Sequence, residues 1–66
     1  MEITVNGEHR SLDGPATVAE LLKRFDVSPQ RVAVEVNEQL VRRARLAEVE
    51  LRDGDRVEIV TLVGGG

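Results

Sequence analysis

The sequence predicts an α+β domain, with a mixed sheet of four or five strands and one main helix packed across one face. Three observations carry this. Apolar residues alternate with polar ones over residues 2–5, 31–37 and 56–63, the period of a half-buried strand. One stretch, 17–25, instead repeats its apolar residues at spacings of three and four behind a helix-start signal. Turn dipeptides stand between these runs, at Asn6-Gly7, Asp13-Gly14, Asn37-Glu38 and Asp53-Gly54.

The first strand is Glu2-Ile3-Thr4-Val5, with Ile3 and Val5 pointing one way and Glu2 and Thr4 the other. Asn6-Gly7 tolerates positive φ and turns the chain into a hairpin, whose return strand runs from about Glu8 to Leu12. Asp13-Gly14-Pro15 forms a tight turn. Thr17 then caps the helix and Glu20 reaches back to the cap N–H, a capping box. The apolar stripe is Val18, Leu21, Leu22 and Phe25, and Lys23 and Arg24 sit where the helix dipole favours cations. Ser28-Pro29 disfavours further helix. A helix of about nine residues is too short to stand alone and must pack on the sheet.

Val32, Val34 and Val36 share one face of the next strand, which is rich in β-branched residues. Leu40 and Val41 follow the Asn37-Glu38 turn as a short apolar segment. Residues 42–50 are charged and weakly patterned, with Leu46 and Val49 as anchors of a loop or single turn. The last strand, 56–63, has Val57, Ile59 and Thr61 on one side and Glu58, Val60 and Leu62 on the other. It is expected near the centre of the sheet. The predicted core is Ile3, Val5, Val18, Leu21, Leu22, Val34, Val57 and Ile59.

At 66 residues the chain is one small domain with a thin core. The domain is expected to occupy residues 1–63, with a flexible glycine tail at 64–66. Twelve acidic residues against nine basic ones, for a net charge of −3, give no concentrated positive field for nucleic acid. The chain has no cysteine, which excludes disulfides and thiolate chemistry on this chain. With a single histidine it is poorly equipped for zinc. No run is long and apolar enough to span a membrane, and the N-terminus does not read as a secretory signal, so the cytoplasm is the expected compartment.

Catalytic material is sparse. Asp53 and Asp55 read as a solvated turn, since a calcium loop needs more oxygen ligands at regular spacing. His9 stands alone beside Arg10, and neither Ser11 nor Ser28 has a sequence context suggesting a triad. No phosphate-binding loop occurs. Arg42, Arg43 and Arg45 form a small cluster that suits a solvated loop better than an acidic partner. The unusual feature is the uncharged end, Ile59 to Gly66, closing in Gly64-Gly65-Gly66. Such an end is compatible with a frayed tail. It is also a peptide without Cβ atoms, which reaches roughly 10 Å when extended and passes through channels that side chains block. The reactive group it delivers is a carboxylate.

These pieces together resemble the small sulfur carriers of thiamine biosynthesis, the ThiS family, of the ubiquitin-like β-grasp class. The resemblance covers the whole chain and rests on Ile3-Thr4-Val5-Asn6-Gly7, Thr17-Val18-Ala19-Glu20-Leu21-Leu22, Val34-Glu35-Val36-Asn37, Leu51 through Ile59, and Gly65-Gly66. Gly64 departs from the small or apolar residue often found there. The resemblance implies a protein cosubstrate, not an enzyme, with no catalytic residue, metal or cofactor of its own. It implies that a ThiF-like enzyme adenylates the Gly66 carboxylate with Mg-ATP. A persulfide donor such as a cysteine desulfurase then supplies sulfur. The Gly66 thiocarboxylate passes that sulfur to a thiazole synthase of the ThiG type. Gly64 and Gly65 would thread into partner active sites, and Val60 and Leu62 are the expected docking residues. The free carrier is expected to be a monomer. Three other readings share parts of the pattern: a molybdopterin-synthase small subunit, a tRNA-thiolation or ubiquitin-like carrier, and a plain β-grasp binding module.

Overall fold

The computed structural model describes residues 1–62. Its strands are β1 (Glu2–Val5), β2 (Glu8–Ser11), β3 (Val32–Val36), β4 (Gln39–Val41) and β5 (Arg56–Thr61), with one helix, α1 (Val18–Arg24). Short 3-10 turns occupy Pro29–Arg31 and Arg43–Arg45. The sheet order is β2-β1-β5-β3-β4. The last strand is therefore central, parallel to β1 and antiparallel to β3. This is the β-grasp layout.

Local chemistry accounts for the elements. Both hairpins close with two-residue loops, Val5 facing Glu8 and Val36 facing Gln39. Such loops match strand twist when both central residues have positive φ. Asn6 and Gly7 lie at +51° and +82°, and Asn37 and Glu38 at +53° and +69°. The segment Leu40-Val41 is thus a fifth strand, because the turn returns it alongside β3.

The helix starts at the predicted capping box: the Glu20 N–H donates to Thr17 Oγ1 at 3.2 Å, and the Thr17 N–H donates to Glu20 Oε1 at 2.7 Å. Thr17 and Phe25 are its caps, so the helix proper is two residues shorter than the predicted stretch. The first-turn donors are satisfied from the loop that follows β4. Val18 N–H donates to the Val49 carbonyl at 3.0 Å and Ala19 N–H to that of Leu46 at 2.9 Å. An otherwise weakly patterned loop thereby closes the helix N-terminus.

Val18, Leu21 and Leu22 pack on Ile3, Val5, Val34 and Val57, with Leu12, Ala16, Leu46 and Leu51 completing the core. Seven of the eight predicted core residues are buried. Ile59 is the correction: it is half-buried. It lies beyond the end of β1, where the neighbouring backbone has already turned into the first hairpin.

Candidate functional site: the outer sheet face and the end of β5

Strand alternation divides β5 between two environments. Val57 points into the core, while Arg56, Glu58 and Val60 point to the face away from α1. Val60 is 54% exposed and Leu62 49%, so neither covers an internal cluster. The third large exposed apolar residue among those described is Leu40, at 62%. Cross-strand register gathers them. Val60 faces Ala33 on β3, Glu58 faces Glu35, and Glu35 faces Leu40 on β4. Leu62 continues the ladder past the last strand residue, its N–H donating to the Arg31 carbonyl at 2.8 Å.

The exit of β5 is fixed by a side chain. Backbone pairing of β1 with β5 reaches the Asn6 N–H, which donates to the Val57 carbonyl at 2.8 Å. Beyond it, Asn6 Oδ1 accepts from the Ile59 N–H at 2.7 Å and Asn6 Nδ2 donates to the Ile59 carbonyl at 3.1 Å. One amide takes the place of the next residue of a strand. Asn37 does similar work at the other end, its Oδ1 accepting from the Arg56 N–H at 2.9 Å.

The sequence-predicted tail residues Gly64, Gly65 and Gly66 lie outside the described residues, as does the last predicted strand position, Val63. The remaining candidates have structural roles. Asp53 Oδ1 accepts from the Glu2 N–H at 2.6 Å. Asp55 accepts from the Arg52 N–H and from Asn37 Nδ2. These aspartates tie the turn before β5 to β1 and to the second hairpin. His9 and Ser11 both bond the Glu2 carboxylate across the first hairpin. These two hydrogen bonds, His9 first, hold the Glu2 carboxyl below its ordinary range. The carboxylate lies between the histidine and the serine, the wrong order for a base to activate the hydroxyl. Among the described residues no group of three or more His, Cys, Asp or Glu side chains is placed to hold a metal. No helix of the described residues is long and apolar enough to cross a membrane.

Sequence reasoning placed Val60 and Leu62 on the outer face but missed Leu40 and the facing glutamates. The signal was present in the two-residue loop. It fixes Gln39 opposite Val36, so Leu40 must fall opposite Glu35, on the face that β3 turns away from its valines.

A family model described as the ThiS family matches residues 3–66. This chain belongs to the ThiS family. Membership places it with the sulfur carrier proteins. A thiazole synthase from Paramagnetospirillum magneticum is 41% identical over 66 residues; the match takes in 100% of this chain but only 20% of the synthase. The sulfur carrier protein ThiS of Thermus thermophilus is 41% identical over 64 residues, covering 97% of this chain and 98% of the carrier. The crystal structure of the thiamine biosynthesis protein ThiS from Geobacter metallireducens has a TM-score of 0.87 at 36% identity, over 100% of both chains. The ThiS fold thus extends to the sheet order and the helix placement described above.

Proposed function

We propose that this ThiS-family chain carries sulfur for thiazole formation in thiamine biosynthesis, as a thiocarboxylate on Gly66. The observation that carries the reading is the family match running through the glycine end. The body supports it by what it supplies: a rigid platform with β5 at its centre, leading toward residues 64–66. Gly64 and Gly65 form the narrow lead that threads into partner active sites, and Gly66 bears the reacting group. The reaction requires a free carboxylate there.

The chemistry needs partners for every step. The Gly66 carboxylate oxygen attacks the α-phosphate of Mg-ATP on a ThiF-like adenylating enzyme, and pyrophosphate leaves. The outer sulfur of a persulfide, delivered by a donor such as a cysteine desulfurase, attacks the acyl carbon and AMP leaves. A thiol then reduces the resulting acyl disulfide, leaving the thiocarboxylate. The thiocarboxylate anion keeps its sulfur in water, which suits a carrier that diffuses between enzymes. Val60 and Leu62 supply apolar docking area on the adenylating enzyme, at roughly 25 cal/mol per Å² before ordering costs. A thiazole synthase of the ThiG type is the acceptor. A segment similar to this chain lies within a relative named thiazole synthase, and that similarity supports the choice.

The test is incubation with the adenylating enzyme, Mg-ATP and a persulfide donor, read by intact mass. Sulfur for oxygen adds about 16 Da. Gly65→Val should slow the gain strongly by blocking the channel and restricting φ. A bulky residue added after Gly66 should abolish it. Full-rate sulfur loading of that extended chain would refute the mechanism. The loaded protein is then offered to thiazole synthase, molybdopterin synthase and a tRNA-thiolating enzyme. Transfer to either of the last two, and not to the first, would overturn the thiamine reading.

A further inference from the structure

Asparagine is among the chemically labile residues, and it is most labile before glycine. The nitrogen of the following residue attacks the asparagine Cγ, and a glycine there has no Cβ to obstruct the approach. Asn6-Gly7 is that sequence, at the tip of the first hairpin. Both residues are exposed to water, and the Gly7 Cα faces open space. The Gly7 N–H donates to no group among the described residues, so solvent base reaches its proton. The Asn6 carboxamide, by contrast, is held. Its Oδ1 accepts from the Ile59 N–H at 2.7 Å, and its Nδ2 donates to the Ile59 carbonyl at 3.1 Å. These are the two atoms that the reaction changes, since Nδ2 is the leaving group and Oδ1 becomes an imide oxygen.

We propose that Asn6 is a deamidation site, that its bonds to β5 restrain the reaction, and that its conversion releases the end of β5. The Gly7 nitrogen, its proton lost to solvent base, forms a bond to the Asn6 Cγ. The Cγ–Nδ2 bond breaks, and Nδ2 takes a proton from water and leaves as ammonia. A cyclic succinimide now joins residues 6 and 7. One water opens it. Addition at Cγ breaks the new C–N bond and leaves aspartate; addition at the backbone carbonyl breaks the original peptide bond and leaves isoaspartate, with the chain running through Cγ. The net change consumes one water and releases one ammonia, and a neutral amide becomes a carboxylate. Nothing is oxidised or reduced.

Both products undo the clamp. Aspartate keeps an acceptor for the Ile59 N–H but sets a second carboxylate oxygen against the Ile59 carbonyl, where Nδ2 had donated. Isoaspartate lengthens the backbone of a two-residue loop that holds Val5 opposite Glu8, and such a loop has no slack to absorb it. From Ile59 onward, β5 is then bonded to β3 alone, just before the chain enters its glycine end. Asn37 is the comparison within the same molecule. It too has a positive φ, +53°, and an engaged carboxamide, with Oδ1 accepting from the Arg56 N–H and Nδ2 donating to Asp55 Oδ1, both at 2.9 Å. Glu38 follows it, however, and its side chain crowds the attacking nitrogen. The geometry therefore assigns the reaction to Asn6.

The test incubates the full chain in mildly alkaline buffer, folded and in guanidinium chloride, and follows intact mass. Deamidation adds about 1 Da, and peptide mapping should place the gain at Asn6. The denatured chain should react about tenfold faster, because two hydrogen bonds no longer have to open first. Asn6→Gly should not gain the mass. The deamidated fraction, separated from the folded sample by its extra negative charge, should exchange the Ile59 amide about tenfold faster than the unmodified chain, with Val57 little changed. Asn6→Asp, which presents one product without the isoaspartate, should show the same effect more weakly. No mass gain in either state, or a gain that maps to Asn37, would overturn the site. Equal rates in the folded and denatured chain would overturn the restraint by β5. An Ile59 amide equally protected before and after conversion would overturn the release.

Discussion

Replacing Asn6 dissects how the last strand is held. Its side chain makes two hydrogen bonds to the Ile59 backbone, and its own φ is +51°. The two contributions separate by choice of replacement. Asn6→Gly keeps the backbone relaxed and removes both bonds. At about 0.5–1.5 kcal/mol each, the loss is about 1–3 kcal/mol. Asn6→Ala removes the same bonds and leaves at positive φ a residue without asparagine's tolerance of the left-handed region, which adds about 1 kcal/mol. A chain of this size has a total stability of about 3–10 kcal/mol. Both variants should therefore fold, the alanine variant marginally. Urea denaturation followed by circular dichroism should rank wild type above Asn6→Gly above Asn6→Ala. Hydrogen exchange supplies the local readout. In Asn6→Gly the Ile59 amide should lose protection well beyond Val57, which pairs with the backbone of β1. Equal stability of the glycine and alanine variants would refute the φ argument. Ile59 and Val57 losing protection in step would refute the side-chain clamp.

Other consequences of the same structure are direct. Leu21 is fully buried, so Leu21→Ala should cost about 2–5 kcal/mol, a large share of the total, and bring the unfolding midpoint close to ambient temperature. Glu38 sits at φ +69° in the second hairpin loop. Glu38→Gly should gain about 0.5 kcal/mol, the relief of strain exceeding the added freedom of the unfolded chain, and a fall in melting temperature would contradict this. The Glu20 carboxyl is held below its ordinary value of 4.5, chiefly by the Thr17 backbone N–H and then by its hydroxyl. A carboxyl depressed on folding adds stability that is present above its unfolded value and lost as pH falls through its folded one. Glu2 acts in the same direction. Stability should thus decline on acidification below about pH 4.5, and Glu2→Gln with Glu20→Gln should flatten that decline.

What was legible in the sequence followed from short-range rules. Ile3, Val5, Val34 and Val57 announce themselves by alternation, and Thr17 with Glu20 by the capping box. The two asparagine turns also fix register, because a two-residue loop leaves no freedom in which residues face each other. The parts that were not legible depend on contacts distant in sequence. Leu46 and Leu51 are buried in a charged stretch without periodicity, where only Leu46 was expected to anchor the loop. Their burial follows from the 46–51 loop running beneath the helix start, where its Val49 and Leu46 carbonyls accept from the Val18 and Ala19 N–H groups and the Leu51 N–H donates to the Ala16 carbonyl at 2.9 Å. No local pattern encodes that. Ile59 failed the opposite way: its alternation is correct, but its burial depends on how far β1 extends beside it.

The site divides along the same line. A glycine end is visible as composition, because glycine is informative by what it lacks. The outer face proposed for docking is not, since it is built from residues on three strands that are unremarkable singly. Glu35 and Glu58 are ordinary exposed-face glutamates until register sets them opposite each other. Leu40 is an ordinary apolar residue until the hairpin turns it outward. This division also fits a carrier. On the proposed reading the reacting group is the Gly66 carboxylate, and the body then needs no catalytic side chains. Selectivity among partners then has to reside in the surface of the body. Among the described residues the large exposed apolar side chains, Leu40, Val60 and Leu62, lie on that surface, beside the facing pair Glu35 and Glu58.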